Sequence, residues 1–229
     1  RVKLDKNIVL TFCENITAGS GKIYLFYGYG KLVEAFGVSS SIISGSTVTL
    51  NPSADFASRS AYYIQIPTTA FMDTAGNNYA GIMEKTGLDF ITLDVNAPFL
   101  ISVIPSDNSS GIQLDQNIVL KFSEDLTAGS GQIKLFDSSD QLVEAFTVSP
   151  SIISGSTVTL NPSSDLASGS AYYIQIPSTA FVDTAGNGFA GISNKTTLNF
   201  ITLDVNAPYL ISVSYTHLRA HETDSYLVC

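Results

Sequence analysis

Residues able to act as nucleophiles, bases or soft metal ligands are concentrated at one end of this sequence. Both histidines, His217 and His221, and one of the two cysteines, Cys229, fall in the closing stretch SYTHLRAHETDSYLVC. Residues 1–213 hold no histidine, so Ser–His or Cys–His activation and imidazole metal sites have nothing to work with there. Cys13 stands where a second copy of the pattern, described below, has Ser123. A residue that serine replaces in its own duplicate is small filler, not half of a disulfide. Carboxylates are the remaining catalytic option. SED places Glu124 beside Asp125, but the matching CEN leaves only Glu14, which favours solvated residues at a strand end. TAGSGQ precedes a strand rather than a helix and has no Lys-Ser/Thr after it, so a tight turn is preferred over a phosphate cradle. DTAGN, at Asp73–Asn77 and Asp183–Asn187, offers hard oxygen ligands for calcium. It is too short to be a complete site and consists of preferred turn formers, so a turn is the favoured reading.

The elements that carry these residues occur twice. NIVLTFCENITAGSGKIYLF from Asn7 returns as NIVLKFSEDLTAGSGQIKLF from Asn117, and SIISGSTVTLNPSADF from Ser41 as SIISGSTVTLNPSSDL from Ser151. The offset is 110 positions each time, without a gap, and most aligned residues are identical. A period of that length is a whole domain, so the copies are tandem beads and not solenoid turns. The expected organisation is a first copy over 1–97 that lacks its opening strand, a second over 98–207, and the start of a third over 208–213. The register stops at Ser214. Residues 214–229 resemble one reading frame of a sequencing-library adapter and are expected to be a non-native tail. The chain opens at Arg1 inside the pattern and reads as a fragment.

Within a copy, apolar alternation comes in short bursts such as NIVLKF, GQIKLF, TVTLNP and AYYIQIP, rich in Val, Ile, Thr, Tyr and Phe and separated by Gly, Ser, Asn, Asp and Pro. AYYIQI places Tyr172, Ile174 and Ile176 on one face and Ala171, Tyr173 and Gln175 on the other. ISGSTVTL carries a Ser-Gly turn of the hairpin kind. No sustained helical spacing appears, though DLASG and STAFVD each allow a single helical turn. About seven short strands in roughly 110 residues predict an all-β chain of tandem immunoglobulin-like β-sandwiches. The Cys–Trp–Cys hallmark of antibody domains is absent.

The FSE strand end, the AYY strand and the DTAGN turn together resemble the bacterial Ig-like repeats of S-layer proteins and large surface adhesins, over essentially all of residues 1–213. The resemblance implies a secreted, multi-copy spacer or adhesive module at the cell surface, without catalysis. Cys13, Asn15 and Arg59 depart from Ser123, Asp125 and Gly169 of the other copy. Arg59 is awkward if its turn needs a positive φ.

The linker LDVNAP, at Leu93–Pro98 and Leu203–Pro208, resembles the calcium-binding joint of cadherins. That likeness implies calcium between repeats, held by Asp94, Asn96 and Asp107 at the first joint and by Asp204 and Asn206 at the second. The alternative is a proline-stiffened hinge. FYGYG against FDSSD is the other contrast: Tyr27 and Tyr29, if exposed on a hairpin loop, would stack on the sugar rings of a surface glycan, and drift on a loop is the preferred alternative. A net charge of −9 without a basic block excludes a phosphate-backbone footprint. No apolar run is long enough for a membrane helix. The expected partners are neighbouring repeats of the same chain, then a surface glycan or protein.

Overall fold

In a computed structural model, which describes residues 1–214, the chain is all-β apart from two single 3-10 turns at Ser40–Ile42 and Pro150–Ile152. The first copy contains β1 (Ile8–Thr11), β2 (Ile16–Ala18), β3 (Lys22–Tyr27), β4 (Leu32–Gly37), β5 (Ile43–Ser44), β6 (Thr47–Leu50), β7 (Ala61–Gln65), β8 (Phe71–Asp73) and β9 (Asp89–Ile91). The second contains β10 (Leu100–Ile104), β11 (Ser109–Ile112), β12 (Ile118–Phe122), β13 (Leu126–Ala128), β14 (Gln132–Asp137), β15 (Leu142–Thr147), β16 (Ile153–Ser154), β17 (Thr157–Leu160), β18 (Ala171–Gln175), β19 (Phe181–Asp183) and β20 (Asn199–Thr202). The tail reading falls on residues that lie, apart from Ser214, outside the described ones.

In the second copy a sheet ordered β10-β12-β17-β16 packs on one ordered β11-β20-β18-β14-β15, with β13 and β19 as a separate pair. Alternation drives this packing. Ile118, Leu120 and Phe122 of one sheet and Ile133, Leu135, Tyr172 and Ile174 of the other are buried in a single cluster. The expected faces of AYYIQI hold for the core side, where Tyr172, Ile174 and Ile176 are buried. Tyr173, on the other side, is covered as well, because Phe136 stacks on it at 5.1 Å. The Ser-Gly hairpin joins β16 to β17 through Gly155 at φ +58°.

DLASG and STAFVD make no helical turn. Phe181–Asp183 within the latter is strand β19, paired with β13 as Leu126↔Asp183 and Ala128↔Phe181, which buries the Phe181 ring. This pairing also explains TAGSGQ. Gly129 donates to Ala180 O at 2.8 Å, and a Cβ on it would sit 2.1 Å from Thr179 O. The glycine is therefore required by a close backbone approach and not by a ligand.

The first copy repeats the plan with sheets β1-β6-β5, β4-β3-β7-β9 and β2-β8. Val2 bridges Thr92 in parallel, as Ile112 does Thr202. Among the described residues no strand lies where β10 runs in the second copy.

Candidate functional site: the joint between the copies

The linker leaves the first copy through a closed set of hydrogen bonds. Thr92, fully buried, donates to Ala57 O at 2.7 Å and accepts from Ser60 N at 2.8 Å. Asp94 Oδ1 then accepts from Ser58 Oγ at 3.2 Å and from Asn96 N at 3.2 Å, while Val95 N donates to Ser58 Oγ. This is the Asx turn that an Asp two residues before an Asn favours. The linker enters the second copy with equal definition: Phe99 N donates to Ser123 Oγ at 3.1 Å, and Ser123 N donates back to Phe99 O at 2.9 Å.

Three carboxylates from separate elements meet here. Asp94 of the linker, Glu124 after β12 and Asp183 at the end of β19 bring oxygens within 4.8 Å of one another. The side chains of Asp94 and Glu124 are 5% and 11% exposed. Arg59 of the first copy reaches over the junction, with Nη1 3.6 Å from Asp94 Oδ2 and 3.2 Å from Glu124 Oε2. Asn187 adds a direct tie, its side-chain amide donating to Asp94 O at 3.2 Å. Arg59, Asp94 and Glu124 border an open cleft of about 640 Å3.

The environments of the acids differ. Burial pushes the Glu124 carboxyl up, and the charges of Asp94 and Asp183 add to this against the opposing pull of Arg59. Burial also works against an ionised Asp183, but hydrogen bonds donated by Asn187, Ala185 and Gly186 outweigh it and hold that carboxyl below its ordinary range. Three acids and one guanidinium leave the cluster a net acceptor of positive charge. The donors are hard oxygens, the kind a divalent cation such as calcium takes, so the residues present fit one if Arg59 yields its place.

Arg59 stands at φ +50°, where Gly169 of the second copy stands at φ +59°. The turn does need a positive φ, the conformation that makes an arginine awkward there. The conformation costs an L-residue roughly 1–2 kcal/mol relative to its normal region, so the side chain's position is held against backbone strain by its two acidic contacts.

Of the residues expected at the joint, Asp94 is central. Asn96 contributes its backbone N–H, while its side chain is exposed. Asp107 does not join the cluster. Its Oδ1 accepts from Asn199 N at 3.0 Å and from the Asn199 side chain at 3.1 Å, which ties the β10–β11 crossover to β20 instead. Asp204 and Asn206 rebuild the Asx turn, with Asp204 Oδ1 accepting from Ser168 Oγ at 3.1 Å and Asn206 N at 2.9 Å. In the sequence Glu124 belongs to a strand end and Asp183 to a turn. No sequence signal singles them out: Glu14/Glu124, Asp73/Asp183, Asn77/Asn187 and Asp94/Asp204 are each identical in both copies, but so are most aligned positions.

DTAGN is a turn, as expected. Asp183 Oδ1 accepts from Ala185 N at 2.7 Å and Asn187 N at 2.8 Å, with Gly186 at φ +96°. Tyr27 and Tyr29 form the outer end of an aromatic column. Tyr29, 75% exposed, stacks on Tyr27 at 5.2 Å, Tyr27 on Tyr62 at 5.0 Å, and Tyr62 on Phe90 at 5.4 Å. In the second copy Asp137 takes the place of Tyr27 and caps its own turn through Ser139 N and Gln141 N.

Two sandwiches of one plan, joined by a hydrogen-bonded linker, define a tandem immunoglobulin-like β-protein. The bacterial Ig-like domain family matches residues 1–92 and again residues 94–202, and the chain belongs to that family. No curated protein matches the chain. Among solved structures, the BSP domain of a biofilm associated protein is similar at 16% identity with a TM-score of 0.25; the match covers 89% of this chain and 30% of that one. This chain thus spans under a third of that chain's length. Among the described residues, no helix is long and apolar enough to cross a membrane.

Proposed function

We propose that the chain is a non-catalytic spacer of a bacterial surface or secreted protein, of adhesin or S-layer type, working outside the cell with neighbouring repeats as its partners. The observation that supports this reading most is the joint. The linker is bound at both ends, and Arg59 and Asn187 tie one copy to the other across it, as a stalk that must hold its direction requires. Small-angle scattering on the chain tests it. A compact globule of this length has a radius of gyration of about 17 Å. A stalk gives a clearly larger value, and a result near 17 Å overturns the reading.

The acidic cluster favours a second version, in which calcium stiffens the joint. Asp94, Glu124 and Asp183 would hold the ion, and it would supply the positive charge the cluster lacks; Asp204 and Asn206 would serve a following joint. At ten times its dissociation constant such an ion stabilises the folded chain by about 1.4 kcal/mol. A thermal melt in millimolar calcium and then in chelator reads this directly, and an identical melt in both leaves Arg59 as the joint's cation.

The exposed Tyr29 supports an adhesive role beside the spacer role. Its free face is suited to stacking on a sugar ring, and the adjoining recess of about 390 Å3 is bordered by Gly28, Ser60 and Ala61. A glycan array probed with the chain and with Tyr29→Ala tests this; equal signals from both refute it.

A further inference from the structure

Asn187 is a structural tie built from a thermolabile residue type. Its side-chain amide holds two bonds at once, donating to Asp94 O at 3.2 Å across the joint and to Asp183 Oδ2 at 2.8 Å within its own turn. Next in the chain is Gly188, and the two form the only Asn-Gly pair in the sequence. Gly188 is exposed, and a Cβ on it would meet nothing within 4 Å. Among the described residues its N–H donates no hydrogen bond. The first copy builds the same turn, with Asn77 donating from its backbone and its side chain to Asp73 at 2.8 and 2.7 Å. There the following residue is Asn78, and a residue with a Cβ offers its amide nitrogen less freely than glycine does.

We propose that Asn187–Gly188 is a site of spontaneous covalent modification, where loss of ammonia turns the tie across the joint into a carboxylate that repels it. The Gly188 amide nitrogen attacks Asn187 Cγ. The N–Cγ bond forms as the Cγ–Nδ2 bond breaks, and the side-chain amide leaves as ammonia with the proton from Gly188. Water then opens the cyclic imide. Cleavage at Cγ–N leaves aspartate at position 187, while cleavage at the backbone carbonyl leaves isoaspartate, with an extra methylene in the main chain. No electrons change hands, and water is the only co-reactant. The two bonds of the amide must part before Cγ can reach Gly188 N, so the reaction proceeds from openings of the joint and not from its closed form. After it, a carboxylate stands where the amide donated. Both contacts then set acceptor against acceptor, and a fourth acid joins Asp94, Glu124 and Asp183.

Ageing the full chain in mildly alkaline buffer, with peptide mass spectrometry at intervals, tests the proposal. Asn187 is expected to exchange its NH2 for OH well before Asn77 does. Gly188→Ala, which the open space around Gly188 accommodates, should leave Asn187 intact over the same interval. The reacted chain, separated from the unreacted one by its extra negative charge, should show faster hydrogen exchange at Val95 and Asn96, whose amides are held by Ser58 Oγ and Asp94 Oδ1. Asn187→Asp should show the same. An Asn187 that reacts no faster than Asn77 overturns the proposal, as does equal reaction in Gly188→Ala. Modification that leaves exchange at Val95 and Asn96 unchanged refutes the effect on the joint.

Discussion

Replacing Arg59 by glycine separates the backbone from the charge at the joint. The substitution restores the residue that the second copy has at this position, and so relieves a left-handed conformation worth about 1–2 kcal/mol. Glycine's extra freedom in the unfolded chain costs about 0.5–1 kcal/mol in return, so the backbone terms leave the variant a net gain of roughly 0.5–1 kcal/mol. What remains is the loss of contacts at 3.2 and 3.6 Å to Glu124 and Asp94. Arg59 is itself 62% exposed, which caps each contact near the surface value of up to about 1 kcal/mol. Arg59→Gly is therefore expected to lower stability by roughly 1 kcal/mol at most at neutral pH and low salt, and by less in high salt. The pH dependence has a definite sign. Glu124 has its folded pKa raised, so the folded state holds its proton longer and stability falls as pH rises from the unfolded value through the folded one. Removing the guanidinium, which opposes that rise, deepens the fall. Urea titrations of both proteins at low salt, from acid to neutral pH, should show the difference between them widening as pH rises. If the difference is flat with pH, or if the variant equals wild type at neutral pH and low salt, the guanidinium does not compensate this cluster.

Phe122→Ala removes a ring that is 1% exposed and should cost about 3–5 kcal/mol; Phe12→Ala, whose ring is only half-buried, should cost distinctly less, as urea titration of the two would show. Gly129→Ala places a Cβ 2.1 Å from Thr179 O and should split β13 from β19, read as fast exchange of the Gly129 amide or as loss of soluble protein. Asp183→Ala removes a carboxyl whose folded pKa is lowered. Such a group adds stability above its unfolded pKa and loses it as pH falls through the folded value, so the variant should lose stability at neutral pH and differ least from wild type in strong acid.

The strands were legible because their causes are local. Alternation in NIVLKF and AYYIQI fixes which side chains face inward, and the turn residues between bursts fix where strands end. Segments such as β13, β16 and β19 span two to three residues, too few to show a period, and they exist because a neighbouring strand offers them a partner. STAFVD illustrates the point: its residues allow a helical turn, but pairing with β13 buries Phe181 only when the segment is extended. The joint divides in the same way. Asp94 and its Asx turn are set by residues next to one another, whereas Glu124 and Asp183 stand 30 and 89 positions further along, and only the sandwich brings them together. Asp107 is the next acid along the chain after Asp94, yet its carboxylate meets Asn199 because the β10–β11 crossover carries it to the other sheet. The clue that reaches across such distances is the duplication itself. Arg59 breaks the pattern at a position where φ is positive in both copies, and the contact that keeps a strained arginine there lies across the joint, on Glu124.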